Sequence, residues 1–220
     1  LNSGACFPTH AQAETLAKRL AAYGCNMVRF HQIDAEWATP NIYQMTKGQR
    51  LVSTRTLCAE SMDRLDYLIC CLKEQGIYVY MDLMTYRKFK EGDEVPQHEL
   101  LPDSAKPWSI TNRRLIELQK EFMTQIWTHV NPYTGLAYKD DPAVAMCEIS
   151  NENDLFVDTA GRRKDYVEPT YYTSEFRQMF KAWLEQEGID YDWEHCHLYA
   201  SDEPLLKFKY LTMKKYNQEM

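Results

Sequence analysis

Apolar residues recur along this chain in two alternating rhythms. Over residues 9–23 (THAQAETLAKRLAAY) Ala13, Leu16, Ala17, Leu20 and Ala21 fall at helical spacing. Thr9 with Gln12 has the form of a capping box, and Gly24 stands where a helix stop belongs. Residues 25–30 (CNMVRF) then read as a short strand. The pattern repeats: 61–75 is a helix with Leu65, Leu68, Ile69 and Leu72 on one face, Gly76 closes it, and 77–83 (IYVYMDL) is a strand of β-branched and aromatic residues. In a third, longer round, 111–130 is a helix with Leu115, Leu118, Phe122, Ile126 and Val130 facing inward. Residues 131–135 (NPYTG) supply turn chemistry, and 143–149 (AVAMCEI) form the next strand. Two further helices are expected near 174–186 and 203–219, and residues 1–7 fit the tail of an earlier strand.

Strands alternating with helices indicate βα units around a parallel sheet. The strands read as near-continuous apolar runs, which predicts that both faces are covered. No G-x-G-x-x-G follows any strand, so an open dinucleotide-binding sheet has no support. The expected fold is α/β, the first half of a (β/α)8 TIM barrel with about four of its eight βα units. Residues 1–220 are expected to be an N-terminal part of a single domain truncated at both ends. The long connections 34–60 and 84–110 would then lie on the C-terminal face, where barrels build their sites.

Composition narrows the partners. With 32 acidic against 25 basic residues the net charge is -7, and the basic cluster Arg162-Arg163-Lys164 is short, so nucleic acid is not an expected partner. No run of 18 apolar residues occurs, so no membrane span is expected. The seven cysteines are odd in number and show no C-x-x-C, which argues against a disulfide framework or a zinc ribbon. His195-Cys196-His197 lacks further ligands at metal spacing and reads as a surface turn; no metal and no cofactor are expected. The absence of G-x-S-x-G leaves serine-nucleophile chemistry unsupported. Nothing in the residues assigns a compartment.

Polar residues collect at the ends of the strands: Arg29-Phe30-His31, Asp82-Leu83-Met84, and Glu148 through Asn153. Charged groups end a buried strand when they face a pocket. Side chains alternate along a strand, so Met27, Arg29 and His31 share one face, and Glu148, Ser150 and Glu152 share another if the strand stays regular.

These three strand ends carry a resemblance. Residues 143–153 (AVAMCEISNEN) resemble the fourth strand of the retaining glycoside hydrolases of clan A, which closes on Asn-Glu. Residues 25–31 (CNMVRFH) and 76–83 (GIYVYMDL) resemble their second and third strands in the same order. The likeness is closest to the cellulase-like glycoside hydrolase family 5 and covers about residues 1–155. It implies hydrolysis of O-glycosyl bonds, with β-linked oligo- or polysaccharides as substrates. Such enzymes use two carboxyl groups about 5–5.5 Å apart, an acid/base and a nucleophile. By resemblance Glu152 is the acid/base, Asn151 bonds the sugar 2-hydroxyl, Arg29 orients the nucleophile and His31 lines the sugar site. Asn153 and Trp37 are counted with the substrate-binding residues. The nucleophile is expected on a later strand outside these residues. Met84 departs from the family, which often has a His there.

Other readings stand beside these. Glu152 could cap the turn that follows it, Arg29 could be an ion-pair partner of Glu148, and His31 could be a hydrogen-bonded structural His. Trp127 and Trp183, at helical spacing, read as core, while Trp108, in a long loop, either stacks on a sugar or pins its loop to the barrel rim. The alternative function is an inactive barrel that binds carbohydrate. The chain alone is expected to lack activity and to self-associate through its open sheet edges.

Overall fold

The elements begin and end where local chemistry places their caps. Thr9 accepts the Gln12 N–H while the Gln12 side chain accepts the Thr9 N–H, closing the capping box that opens helix α1, His10–Ala22. Gly24 and Gly76 take positive φ, 76° and 71°, at the stops of α1 and of α2, Ala59–Glu74. Asn112 caps α3, Arg113–Thr128, by accepting from the Leu115 N–H. The remaining helices are α4, Thr170–Glu187, and α5, Glu203–Glu219. The computed structural model describes residues 6–46, 50–156, 167–192 and 202–220. The triplets Arg162-Arg163-Lys164 and His195-Cys196-His197 lie outside the described residues.

Three strands, β1 Met27–Phe30, β2 Tyr78–Asp82 and β3 Val144–Glu148, form a parallel sheet in the order β1-β2-β3. Arg29 lies beside Tyr80, and Asp82 beside Glu148. A parallel neighbour needs a crossover, and α2 and α3 supply it. Val28, Phe30, Val79 and Met81 are buried with Leu65, Leu68, Ile69, Leu72, Phe122 and Ile126 of the helices. Tyr80 and Asp82 alternate with these apolar positions and lie on the opposite face with Arg29.

The expected earlier strand at 1–7 falls mostly outside the described residues, and Cys6 and Phe7 carry no strand. Val130 does not face inward: it lies beyond the end of α3, bridges to Ala137 and is 57% exposed. The covered-strand expectation holds for the inner positions of β1 and β2 but not for β3, whose Ala145, Met146 and Cys147 are exposed. Among the described residues no strand pairs with the far side of β3. Trp127 and Trp183 are half-buried and pack against apolar clusters, as expected.

A second apolar cluster joins Phe89, Leu101, Trp108 and Ile110 to Tyr172, Phe176 and Phe180 of α4 and Leu205, Phe208 and Tyr216 of α5. Two long loops, 31–58 and 83–112, are clamped together between the clusters. Asp93 is fully buried. It accepts from the Thr54 N–H at 2.7 Å, the Thr54 and Ser53 hydroxyls, and the Lys90 N–H at 2.8 Å. Gly92 sits so close that a Cβ there would meet the Val52 carbonyl oxygen at 2.7 Å. Arg87, also buried, donates to the Thr54 hydroxyl, the Thr54 carbonyl and the Leu118 carbonyl, with the Phe89 ring 4.8 Å away.

Asp93→Ala strands two backbone N–H groups with no acceptor. It is expected to lower the unfolding free energy by about 3 kcal/mol, seen as a lower urea midpoint at unchanged slope.

Candidate functional site

The register of the sheet brings the polar strand ends together. Arg29 Nη2 donates to Glu148 Oε2 at 2.6 Å, to Asn151 Oδ1 at 2.8 Å and to Asp82 Oδ2 at 2.9 Å. His31 Nδ1 also contacts Asp82 Oδ2. Tyr80, two residues before Asp82 on the same face, donates its hydroxyl to Glu148 Oε2 at 2.7 Å, and its ring lies 5.2 Å from the Arg29 guanidinium. Three strands and the turn after β3 are thus joined through one guanidinium. Burial pushes the Asp82 carboxyl up, with the Glu148 charge adding to the shift and His31 and Arg29 opposing it. The carboxylates beside Arg29 hold its guanidinium up against the burial that would lower it.

After Glu148 the strand stops, although the ladder runs on through the Leu83 N–H to the Glu148 carbonyl and the Asn151 N–H to the Met84 carbonyl. The chain then turns, with Glu152 at φ 48° and exposed. The alternation that would have put Glu148, Ser150 and Glu152 on one face therefore ends at the turn. Asn151 faces Arg29, while Glu152 reaches solvent. Asn153 donates to the Ser109 and Ser150 hydroxyls, and its Oδ1 is buried without a partner. Met84, where the resemblance departs, is fully buried in the apolar cluster, so its side chain is turned away from solvent.

The loops add an aromatic run. Trp37 is 56% exposed and sits edge-on to Tyr86 at 4.8 Å; Tyr86 in turn meets the His31 ring at 6.1 Å. Trp108 is buried against Tyr172, which decides between its two readings in favour of pinning its loop. His10, the first residue of α1, pairs with Asp63 at 2.9 Å and stacks on Tyr67, so it is held on α2.

Asp34 fixes the loop beneath Tyr86. It is fully buried, and its carboxylate accepts from three successive backbone N–H groups, Thr85, Tyr86 and Arg87, at 2.8–3.1 Å. Lys106 approaches from the same loop. Burial lowers its amine, opposed by the charges of Asp34, Glu152, Asp103 and Asp82.

Sequence reasoning drew Arg29, His31 and Asn151 to this place, and the structure brings them together. It noticed Asp82 only as a strand end, and it missed Tyr80, Asp34 and Lys106. The available signal was alternation: Tyr80 and Asp82 share a face on β2, and a charged residue closes an otherwise apolar strand. Among the described residues no three or more His, Cys, Asp and Glu side chains gather as metal ligands, and no helix is long and apolar enough to cross a membrane.

No family model and no curated protein sequence matches the chain. Solved structures do match in shape. An endo-1,4-β-mannanase from Rhizomucor miehei superposes with a TM-score of 0.53 at 18% identity, over 84% of this chain and 52% of that one. The endo-β-1,4-mannanase from Thermotoga petrophila gives a TM-score of 0.51 at 17% identity, over 86% of this chain and 40% of that one. The fold is part of a (β/α)8 barrel. The chain spans about half the length of the barrels it matches. The Arg29 cluster stands at the C-terminal ends of this partial barrel's strands, the end at which such folds do chemistry.

Burial pushes the Asp34 carboxyl from 3.8 up to about 6, against the three N–H bonds that favour its charge. A carboxyl raised on folding holds its proton more tightly in the native state. Its contribution to stability is therefore full in acid and is lost as pH rises from about 4 through about 6. Carbon-detected NMR titration of Asp34 is expected to show a midpoint near 6; a midpoint below 4 would mean that the N–H bonds outweigh burial.

Proposed function

We propose that this chain is part of a retaining glycoside hydrolase acting on β-linked glycans, with Glu152 as its acid/base. The observation that carries the reading is the Arg29-centred cluster. It holds Asn151, the residue before Glu152, at the mouth of a barrel fold shared with β-mannanases. Asn-Glu after the fourth strand is the pattern from which the resemblance began, and the cluster supplies a physical reason for the Asn to be held rigidly.

In this reading Glu152 protonates the glycosidic oxygen and later activates water. Its exposure leaves it open to a substrate arriving from solvent. A nucleophile carboxylate about 5–5.5 Å away would come from a later part of the barrel. Arg29 neutralises carboxylates around it, and Asn151, held by Arg29, turns its amide N–H toward a sugar hydroxyl. His31 and Trp37 line the approach, Trp37 offering an apolar ring face to a pyranose. Asn153 supports the site from beneath through Ser109 and Ser150. The mechanism calls for no metal or cofactor.

Because the shape neighbours are β-1,4-mannanases, β-1,4-mannan is the first substrate to assay with the complete enzyme. Glu152→Gln is expected to cut kcat on mannohexaose by about a thousandfold or more. It is expected to spare kcat/KM, which reports the first step, on substrates whose leaving group needs no proton, while kcat on those substrates still falls with the slowed attack of water. Full activity of the variant on mannohexaose would overturn the assignment. Binding of mannohexaose without any cleavage by the wild type would instead favour the inactive, carbohydrate-binding barrel. Trp37→Ala is expected to raise KM several-fold with little change in kcat, as loss of uniform binding does.

The same reading makes the open side of β3 a surface normally covered. Met146 is 51% exposed and Ile149 37% exposed, and a groove of about 640 Å³ lined by Leu83, Met123, Trp127 and Cys147 lies beside them. Residues 1–220 expressed alone are expected to be inactive and to elute above monomer size. A monomeric, active 220-residue chain would contradict this.

A further inference from the structure

Asp82 has no part in the roles assigned above, yet its surroundings are the most constrained in the site. Its side chain is fully buried. Both of its partners use the same oxygen: Oδ2 receives Arg29 Nη2 at 2.9 Å and His31 Nδ1. Oδ1 has no hydrogen-bond partner. Arg29 is over-subscribed in the complementary sense. Nη2 carries two hydrogens but lies within 2.9 Å of three acceptors, on Asp82, Glu148 and Asn151. Asp82 therefore relies on a second donor, and the His31 ring nitrogen is the group in place to provide it.

That requirement decides which way the His31 proton lies. A carboxylate can only accept, so Nδ1 must carry the hydrogen when it faces Asp82 Oδ2. In the neutral ring Nε2 is then left bare as an acceptor. No hydrogen bond of the described residues engages Nε2, and the ring is 12% exposed, with Tyr86 edge-on to it. The alternative tautomer would set a bare Nδ1 lone pair against a buried carboxylate, two acceptors face to face. Against a carboxylate as buried as Asp82 that repulsion is strong.

We infer that Asp82 is a positioning residue, which holds Arg29 toward Asn151 and fixes His31 with its proton on Nδ1. The His31 Nε2 then accepts a hydrogen bond from a ligand hydroxyl. The charge balance of the cluster agrees. Asp82 and Glu148 together outweigh the single Arg29 charge, which favours a hydrogen-bond donor, not an acceptor, toward Asp82. Only the identity of the hydroxyl as part of a sugar rests on the glycosidase reading; the tautomer does not.

The first test needs no variant and no substrate. Two-bond proton–nitrogen correlation NMR on the full protein at neutral pH is expected to show His31 as the Nδ1–H tautomer. A proton on Nε2 alone would overturn the inference. Asp82→Asn keeps an amide oxygen in the place that Arg29 and His31 share and is expected to leave the proton on Nδ1, whereas Asp82→Leu, with no acceptor there, is expected to let the Nε2–H form appear; an unchanged tautomer in a folded Asp82→Leu variant would also overturn it. Should that variant fail to fold, the wild-type spectrum still decides. With mannohexaose and the complete enzyme, Asp82→Leu is expected to raise KM by about tenfold, the size of one lost hydrogen bond, and His31→Gln, which keeps an acceptor, to lose less affinity than His31→Leu. Equal losses in the two His31 variants would remove the acceptor role. A wild type that binds no mannohexaose would sink the glycan reading while leaving the tautomer result standing.

Discussion

Backbone N–H groups that leave water must find acceptors, and this molecule has two long loops whose backbones are partly buried over the ends of three short strands. Buried carboxylates meet the demand. Asp34 gathers the N–H groups of three consecutive residues just past β2. Asp93 gathers those of Thr54 and Lys90 from the two loops at once. Arg87 then ties the pair to α3 through the Leu118 carbonyl. Apolar packing alone could not hold these segments, because a loop with unpaired buried amides would open toward solvent. Everything placed by the loops depends on these acceptors: Trp37, Tyr86, Lys106 and the Ser109 hydroxyl that receives Asn153.

Beneath that clamp the sheet offers two unlike faces. The apolar face is packed under helices, and the other face concentrates Arg29, Tyr80, Asp82 and Glu148 at one end. Charges at this density are tolerable only because each is paired and hydrogen-bonded. The cost is crowding at one guanidinium nitrogen, and the result is a turn after β3 whose first residue, Asn151, has little freedom. Rigid placement of a group at the end of a strand is what a chemical site requires of its scaffold.

Much of this was legible along the chain. Apolar spacing located α1, α2 and α3 to within a few residues, because each buries one stripe and ends on a glycine or a turn. It misjudged Val130, where the helical period continues past the residue at which the chain leaves the helix. It also misjudged the cover on β3, since an apolar strand reads the same whether or not a neighbour is present. Arg29, His31 and Asn151 were found by their positions at strand ends. Asp34 was not, for it lies in a loop with no period, and its partners are backbone groups some 50 residues away whose identity leaves no trace in the side chains.

By itself the sequence determined the local things: which segments are helix or strand, where they stop, and which polar residues end up at the strands' C-terminal ends. Those follow from periodicity and capping, which act over a few residues. Tertiary structure alone decided that Asp82 serves both Arg29 and His31, that Glu152 turns outward while Asn151 turns in, and that Met84 points to the core. Each depends on sheet register and on a turn with positive φ, and both are set by contacts between residues far apart in the chain.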